Sequence, residues 1–241
     1  MKLLMQFLLS LKTAFWLFTA FILILFVGSL SLPGNLAFFS GIDETPLFPW
    51  LFAAGTISII WWIYVMIAML ALLAVSTLFC TAEALLIRSG RQAFLLKLSP
   101  QVMHIGVLFI MLGHLLTASM GFKMDVLLKQ GEVKVVTGNK TLLLQDVAVR
   151  KDRQRYDADW EAMLVWDDGG RTQAASLKPV HPRYVGQFGL YSKSVSIGPK
   201  KTALVRVCRD PGALWALLGG LLLSAGGTGF LYGKYATGSA A

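Results

Sequence analysis

The sequence is poor in charge. Asp, Glu, Lys and Arg make up only 15% of its 241 residues, while 56% are hydrophobic. Soluble domains are typically about a quarter charged, so composition excludes an ordinary soluble globule. Cysteine is scarce as well. Cys80 and Cys208 stand alone, in no C-x-x-C or C-x-x-C-H arrangement, which excludes a disulfide framework, a thioredoxin-like dithiol and a c-type cytochrome. There is no G-x-S-x-G, no glycine-rich phosphate loop and no H-E-x-x-H, so no known catalytic signature is present. Histidine occurs three times, as His104, His114 and His181.

What the chain does have is four long apolar runs, at about 7–32, 51–80, 102–122 and 213–233. A bilayer core needs about 20 apolar residues in a helix, and from Phe52 to Thr81 there is no charged residue at all. The remainder is too small to bury four such helices, so the fold class is an integral membrane protein with four transmembrane helices. Run one is too long for a signal peptide and its Gly28-Ser29-Leu30-Ser31 is a weak cleavage site. It is expected to be retained.

Lys and Arg in short loops set orientation. Lys2 and Lys12 mark the amino end, Arg88, Arg91 and Lys97 the second loop, and Lys234 the tail, whereas the first loop has only Asp43 and Glu44. Both termini and the second loop are therefore expected in the cytoplasm. Residues 123–210 are expected outside, between helices 3 and 4 in the chain, with residues 1–122 and 211–241 forming the membrane part. Cys80 and Cys208 then fall on opposite sides and cannot pair.

The 123–210 block holds 16 of the 22 basic and 10 of the 13 acidic residues, a surplus of six positive charges. Nothing in it points to nucleic acid. Runs such as 124–129, 132–137, 141–149, 161–166, 171–177, 187–194 and 202–208 are separated by Gln130-Gly131, Gly138-Asn139, Asp167–Gly170, Lys178-Pro179 and Gly198-Pro199. Short strands with such punctuation predict an all-β sandwich or partial barrel. The charged run 150–155 is expected on an exposed loop, and His181, between two prolines, on another.

His104 and His114 lie in run three with no other titratable residue between them. Ser99-Pro100 reads as the start of that helix, which would put His104 about one turn inside, near the cytoplasmic face. Ten residues separate the two imidazoles by about 15 Å and rotate them by about 280°, so they cannot ligate one iron. An intramembrane histidine either hydrogen-bonds a neighbouring helix or serves a functional site. The other spans have no histidine, so a bis-histidine haem here needs a second imidazole from another chain. Gly106 and Gly113 allow a neighbouring helix or a flat ligand to come close. The apolar runs lack acids, which argues against a proton-driven transporter.

The segment H-x-G-x-L…G at 104–113, running into GFKMDVLLKQGE, resembles the third span and domain start of the ResB/CcsB proteins of system II cytochrome c maturation. Trp61-Trp62 with Phe79–Thr81 is similar to that family's second span. LQD at 144–146, YVGQFGLYSKS at 184–194 and RDPGALWALLGG at 209–220 resemble its outer domain and return to the membrane. The resemblance covers nearly the whole chain in order, although the outer domain is shorter and His114 stands where a small residue is common.

The resemblance implies a bacterial inner-membrane protein that carries haem b transiently, with His104 as an axial metal ligand and His114 as a further cofactor-binding candidate. It implies a ResC/CcsA-like membrane partner bearing a Trp-rich motif, which supplies the second axial ligand, and an apocytochrome c that receives the haem. The chain itself would then be a non-catalytic subunit of the haem–apocytochrome c synthase. The alternative reading is a structural anchor or assembly subunit of a membrane redox complex that binds no haem.

Overall fold

The computed structural model describes residues 7, 9–86, 94–150 and 159–238. Among the described residues, four helices are long and apolar enough to cross a membrane: α1 (Leu11–Ser31), α3 (Ile57–Leu86), α4 (Phe94–Met120) and α5 (Ala213–Gly238). A shorter helix, α2 (Leu47–Ala54), precedes α3. Two compact units result. One holds the helices, and the other is an all-β unit formed largely by residues 120–211, inserted in the chain between α4 and α5.

Within the helical unit, α1 packs on α3 at Gly28, where any added Cβ would strike the Trp62 ring. The first loop forms a 3₁₀ turn at Pro33–Asn35, one helical turn at Leu36–Phe39, and α2. Their apolar side chains gather against the start of α3. Phe39, Leu51, Ile60 and Ile63 are buried together. Phe39 stacks on Trp50 with ring centroids 5.8 Å apart.

Helix α4 starts at Phe94, well before Pro100, which lies inside it. Proline's fixed φ suits a helix, and the costs are the bond that its missing N–H would have given and the crowding of its ring against the carbonyl four residues before it. The expectation that Ser99-Pro100 opens the helix therefore fails. His104 is ten residues in, about 15 Å along the axis from Phe94 rather than one turn. Helix α3 likewise runs past Cys80 to Leu86 and so carries Glu83, exposed in its last turn. At about 45 Å it exceeds the ~30 Å hydrocarbon core. The absence of acids thus holds for its apolar stretch and not for the whole helix.

Helices α4 and α5 meet through small residues seven positions apart. A Cβ on Gly106 would lie 2.7 Å from the Gly219 carbonyl oxygen, and one on Gly113 2.7 Å from that of Gly212. On the other side, a Cβ on Gly226 would lie 2.8 Å from the Ser99 carbonyl oxygen. Ser99, Gly106 and Gly113 thus oppose Gly226, Gly219 and Gly212 in antiparallel order. Small residues let helix backbones approach closely in a membrane, where van der Waals packing replaces the hydrophobic drive. Phe109 and Trp215 stack beside this seam, 5.6 Å between centroids.

The β unit is a sandwich of two four-stranded antiparallel sheets. One has the order β1 (Phe122–Lys129), β8 (Lys201–Arg209), β7 (Phe188–Ile197), β6 (Arg183–Val185). The other has the order β2 (Val133–Thr137), β3 (Lys140–Arg150), β4 (Asp159–Asp168), β5 (Thr172–Leu177). The expected all-β architecture is therefore found, as two sheets and not a closed barrel. Alternate residues face inward: Val126 and Leu128, Leu164 and Trp166, Ala203, Val205 and Val207. On β3 a bulge between Leu144 and Asp146 inserts one residue, so that both Leu144 and Val147 reach the core. The two faces meet around Trp166 and Phe188, whose centroids are 5.3 Å apart.

Candidate functional site

His104 is half-buried on α4 and faces α3, where its Nδ1 lies 3.5 Å from the hydroxyl oxygen of Thr81. Thr81 is buried, and so is Ser76 five residues before it on α3. One turn before His104 on α4, Gln101 is buried with its Oε1 lacking a hydrogen-bond partner. Helix α4 therefore presents two different faces. Gly106, two residues beyond His104 and about 200° around the helix, faces α5, while the imidazole faces α3. The Nε2 atom of His104 makes no hydrogen bond to the described residues.

This decides between two alternatives that the sequence reading left open. The close approach that Gly106 and Gly113 permit is taken by the backbone of α5, so that face holds a helix and not a flat ligand. His114 is exposed from the helical unit. It does not come together with His104. His181 is exposed on its loop, where its backbone N–H donates to the Lys178 carbonyl at 3.2 Å. Among the described residues, no three His, Cys, Asp or Glu side chains cluster closely enough to hold a metal ion. A single imidazole with one unengaged nitrogen is what remains. A neutral imidazole offers one nitrogen lone pair, and so at most one bond to a metal ion.

The motifs of the β unit have plain structural roles. LQD at 144–146 is the β3 bulge. There Asp146 binds Lys201 of the other sheet at 2.5 Å and accepts from Gln130 Nε2 at 3.2 Å. This carboxylate ties the two sheets together, and the Lys201 ammonium holds it below the ordinary carboxylate range. YVGQFGLYSKS is the β6–β7 hairpin, with Gly186 at φ 58° in its turn. RDPGALWALLGG ends β8 and opens α5, where Gly212 packs on Gly113. The charged run 151–155 lies outside the described residues, as do Arg88 and Arg91.

A cluster that the sequence did not reveal sits on the outward face of β6–β7–β8. Tyr184, Gly189 and Cys208 stand side by side in register. A Cβ on Gly189 would meet Tyr191 Cε2 at 3.0 Å, Cys208 Sγ at 3.1 Å and Tyr184 Cε1 at 3.3 Å. Gly189 thus floors a small patch of two phenols and a thiol. The two hydroxyl groups are 3.3 Å apart. That hydrogen bond, then burial, then Cys208 push the Tyr191 phenol above its ordinary range.

No known family matches the sequence, and no curated protein does. Among solved structures, the chain is similar to one described as "Cytochrome c Heme Lyase CcmF", at 18% identity and a TM-score of 0.47. The match covers 68% of this chain and 29% of that one, so the chain spans less than a third of that structure's length. At that score and identity the likeness carries no functional conclusion.

Proposed function

We propose that this chain is a ResB-like subunit of a cytochrome c maturation complex in a bacterial inner membrane, with His104 as one axial ligand for haem in transit. The observation behind this reading is the intramembrane imidazole itself. His104 is turned toward α3, with Nδ1 against Thr81 and Nε2 without a hydrogen bond among the described residues, on the helix that leads into the β domain. The order of motifs from Trp61 to Gly220 supports the same reading. Haem b is here cargo: its iron takes nitrogen ligands, and its vinyl groups are what an apocytochrome's thiols capture.

The residues of this chain supply ligation and shielding from water, not bond making. With one imidazole available at the site, a ResC/CcsA-like partner provides the other ligand and the Trp-rich surface on which haem meets apocytochrome c. Both termini lie in the cytoplasm and the β domain outside. His114, on another face and about 15 Å further along α4, is assigned to a separate contact of the haem pathway.

In cells lacking the chain, covalent haem staining of c-type cytochromes is expected to disappear. It should return with the wild-type protein and stay absent with His104→Ala expressed at equal level. Full staining with His104→Ala would favour the second reading, an anchor subunit that binds no haem. The glycine seam suits that reading, because it joins α4 to α5 without any ligand.

A further inference from the structure

We propose that Thr81 is a positioning residue. Its hydroxyl oxygen accepts a hydrogen bond from His104 Nδ1–H, so that Nε2 is the nitrogen offered to haem iron; this rests on the haem reading above. A neutral imidazole has one N–H and one lone pair, and the partner of one nitrogen decides which of them is available to a metal. Such partners also fix the ring's rotation. Here the partner comes from another helix, 23 residues away in sequence, and its oxygen lies 3.5 Å from Nδ1. Thr81 is only 7% exposed, so water does not compete freely for its hydroxyl.

The chemistry of the partner matters as much as its place. A carboxylate facing Nδ1 would raise the basicity of the ligand and put a second titratable group inside the bilayer, which is costly. A threonine hydroxyl orients the ring without adding charge. The imidazole it leaves is a moderate ligand, suited to haem that must be passed on and not kept.

The test uses the full chain in detergent micelles, with histidine labelled by ¹⁵N and no haem present. The His104 signals are expected to show a protonated Nδ1 and an unprotonated Nε2. Thr81→Val, which keeps the shape and removes the hydroxyl, is expected to mix the two tautomers, and Thr81→Ser to restore the wild-type signals. With hemin added, Thr81→Val is expected to weaken binding by about 10–100-fold, the usual loss when a ligand's hydrogen-bond partner is removed. It should also shift the high-spin electron paramagnetic resonance signal expected of haem held by one imidazole, and Thr81→Ser should do neither. Unchanged ¹⁵N signals in Thr81→Val overturn the assignment, and so do equal changes in the Val and Ser variants, which would reflect packing alone. If the tautomer responds as expected but the wild-type chain takes up no haem, the Thr81 contact stands and the delivery reading falls.

Discussion

Gly106 on α4 and Gly219 on α5 face each other where neither has room for a side chain. A Cβ on Gly219 would stand 2.5 Å from the Gly106 carbonyl oxygen, whereas its neighbour Gly220 has nothing within 4 Å. The two adjacent glycines should therefore answer the same substitution in opposite ways. Gly219→Ala forces the backbones apart, an overpacking that costs about 1–3 kcal/mol. Gly220→Ala removes a flexible residue from a helix interior and gains roughly 0.5–1 kcal/mol. Thermal melting of the two variants in one detergent is expected to move the transition down for Gly219→Ala and up, or not at all, for Gly220→Ala.

In the β domain, Arg206 donates from Nε and Nη2 to both oxygens of Asp125, at 2.7 and 2.8 Å. The guanidinium hydrogen bonds hold the Asp125 carboxyl below its ordinary range. A depressed carboxylate stabilises the fold above its unfolded value near 3.8, and the contribution disappears as the pH falls through the lower native value. Both side chains are about 40% exposed, so solvent limits the pair to about 0.2–1 kcal/mol. Carboxyl-carbon NMR should place the Asp125 midpoint low in the wild type and return it to the ordinary range in Arg206→Ala. Unfolding at pH 7 should change only slightly.

The Tyr184–Tyr191–Cys208 patch predicts a titration. Because the Tyr184 hydroxyl bonds that of Tyr191 and raises its phenol, Tyr191 should stay neutral at a pH where free tyrosine is half ionised. In Tyr184→Phe its ionisation should fall back toward the ordinary value of 10.0, seen as phenolate absorbance appearing at lower pH. Cys208→Ala should have the smaller effect, since its contribution ranks below the Tyr184 bond and burial.

His114 gives a control on the proposed haem site. It is exposed from the helical unit and about 280° around the helix from His104. His114→Leu is expected to leave the absorption spectrum of haem at His104 unchanged while altering a later step, read as less covalent haem on cytochrome c. A change in the His104 spectrum would mean that the two imidazoles share one ligand.

Much of the architecture was written in hydrophobic periodicity. The four spans and seven of the eight strands lie where apolar runs and turn residues place them. The strand that escaped notice, Arg183–Val185, is three residues long and follows Pro182, too short for any alternation to show. The short helices of the first loop were hidden by Pro33, Pro46 and Pro49, which read as loop punctuation although proline fits a helix's first turn. Helix α4 was cut short for the same reason at Pro100. His104 stood out as a candidate because imidazole in hydrocarbon is unusual. Its partner Thr81 was not, because no single sequence tells which faces of two separate helices meet. The spacing of seven in Ser99, Gly106 and Gly113, matched by Gly212, Gly219 and Gly226, was a signal that could have paired α4 with α5.

The central claim is that His104 binds haem iron through Nε2, and the most direct measurement is absorption of the purified chain after co-expression with the proposed ResC/CcsA-like partner. A Soret band with the split visible bands of low-spin haem is expected in the wild type and lost in His104→Ala, while the two proteins still co-purify in equal amount. An identical Soret band in His104→Ala, or a colourless wild-type complex that still supports cytochrome c maturation, would contradict it.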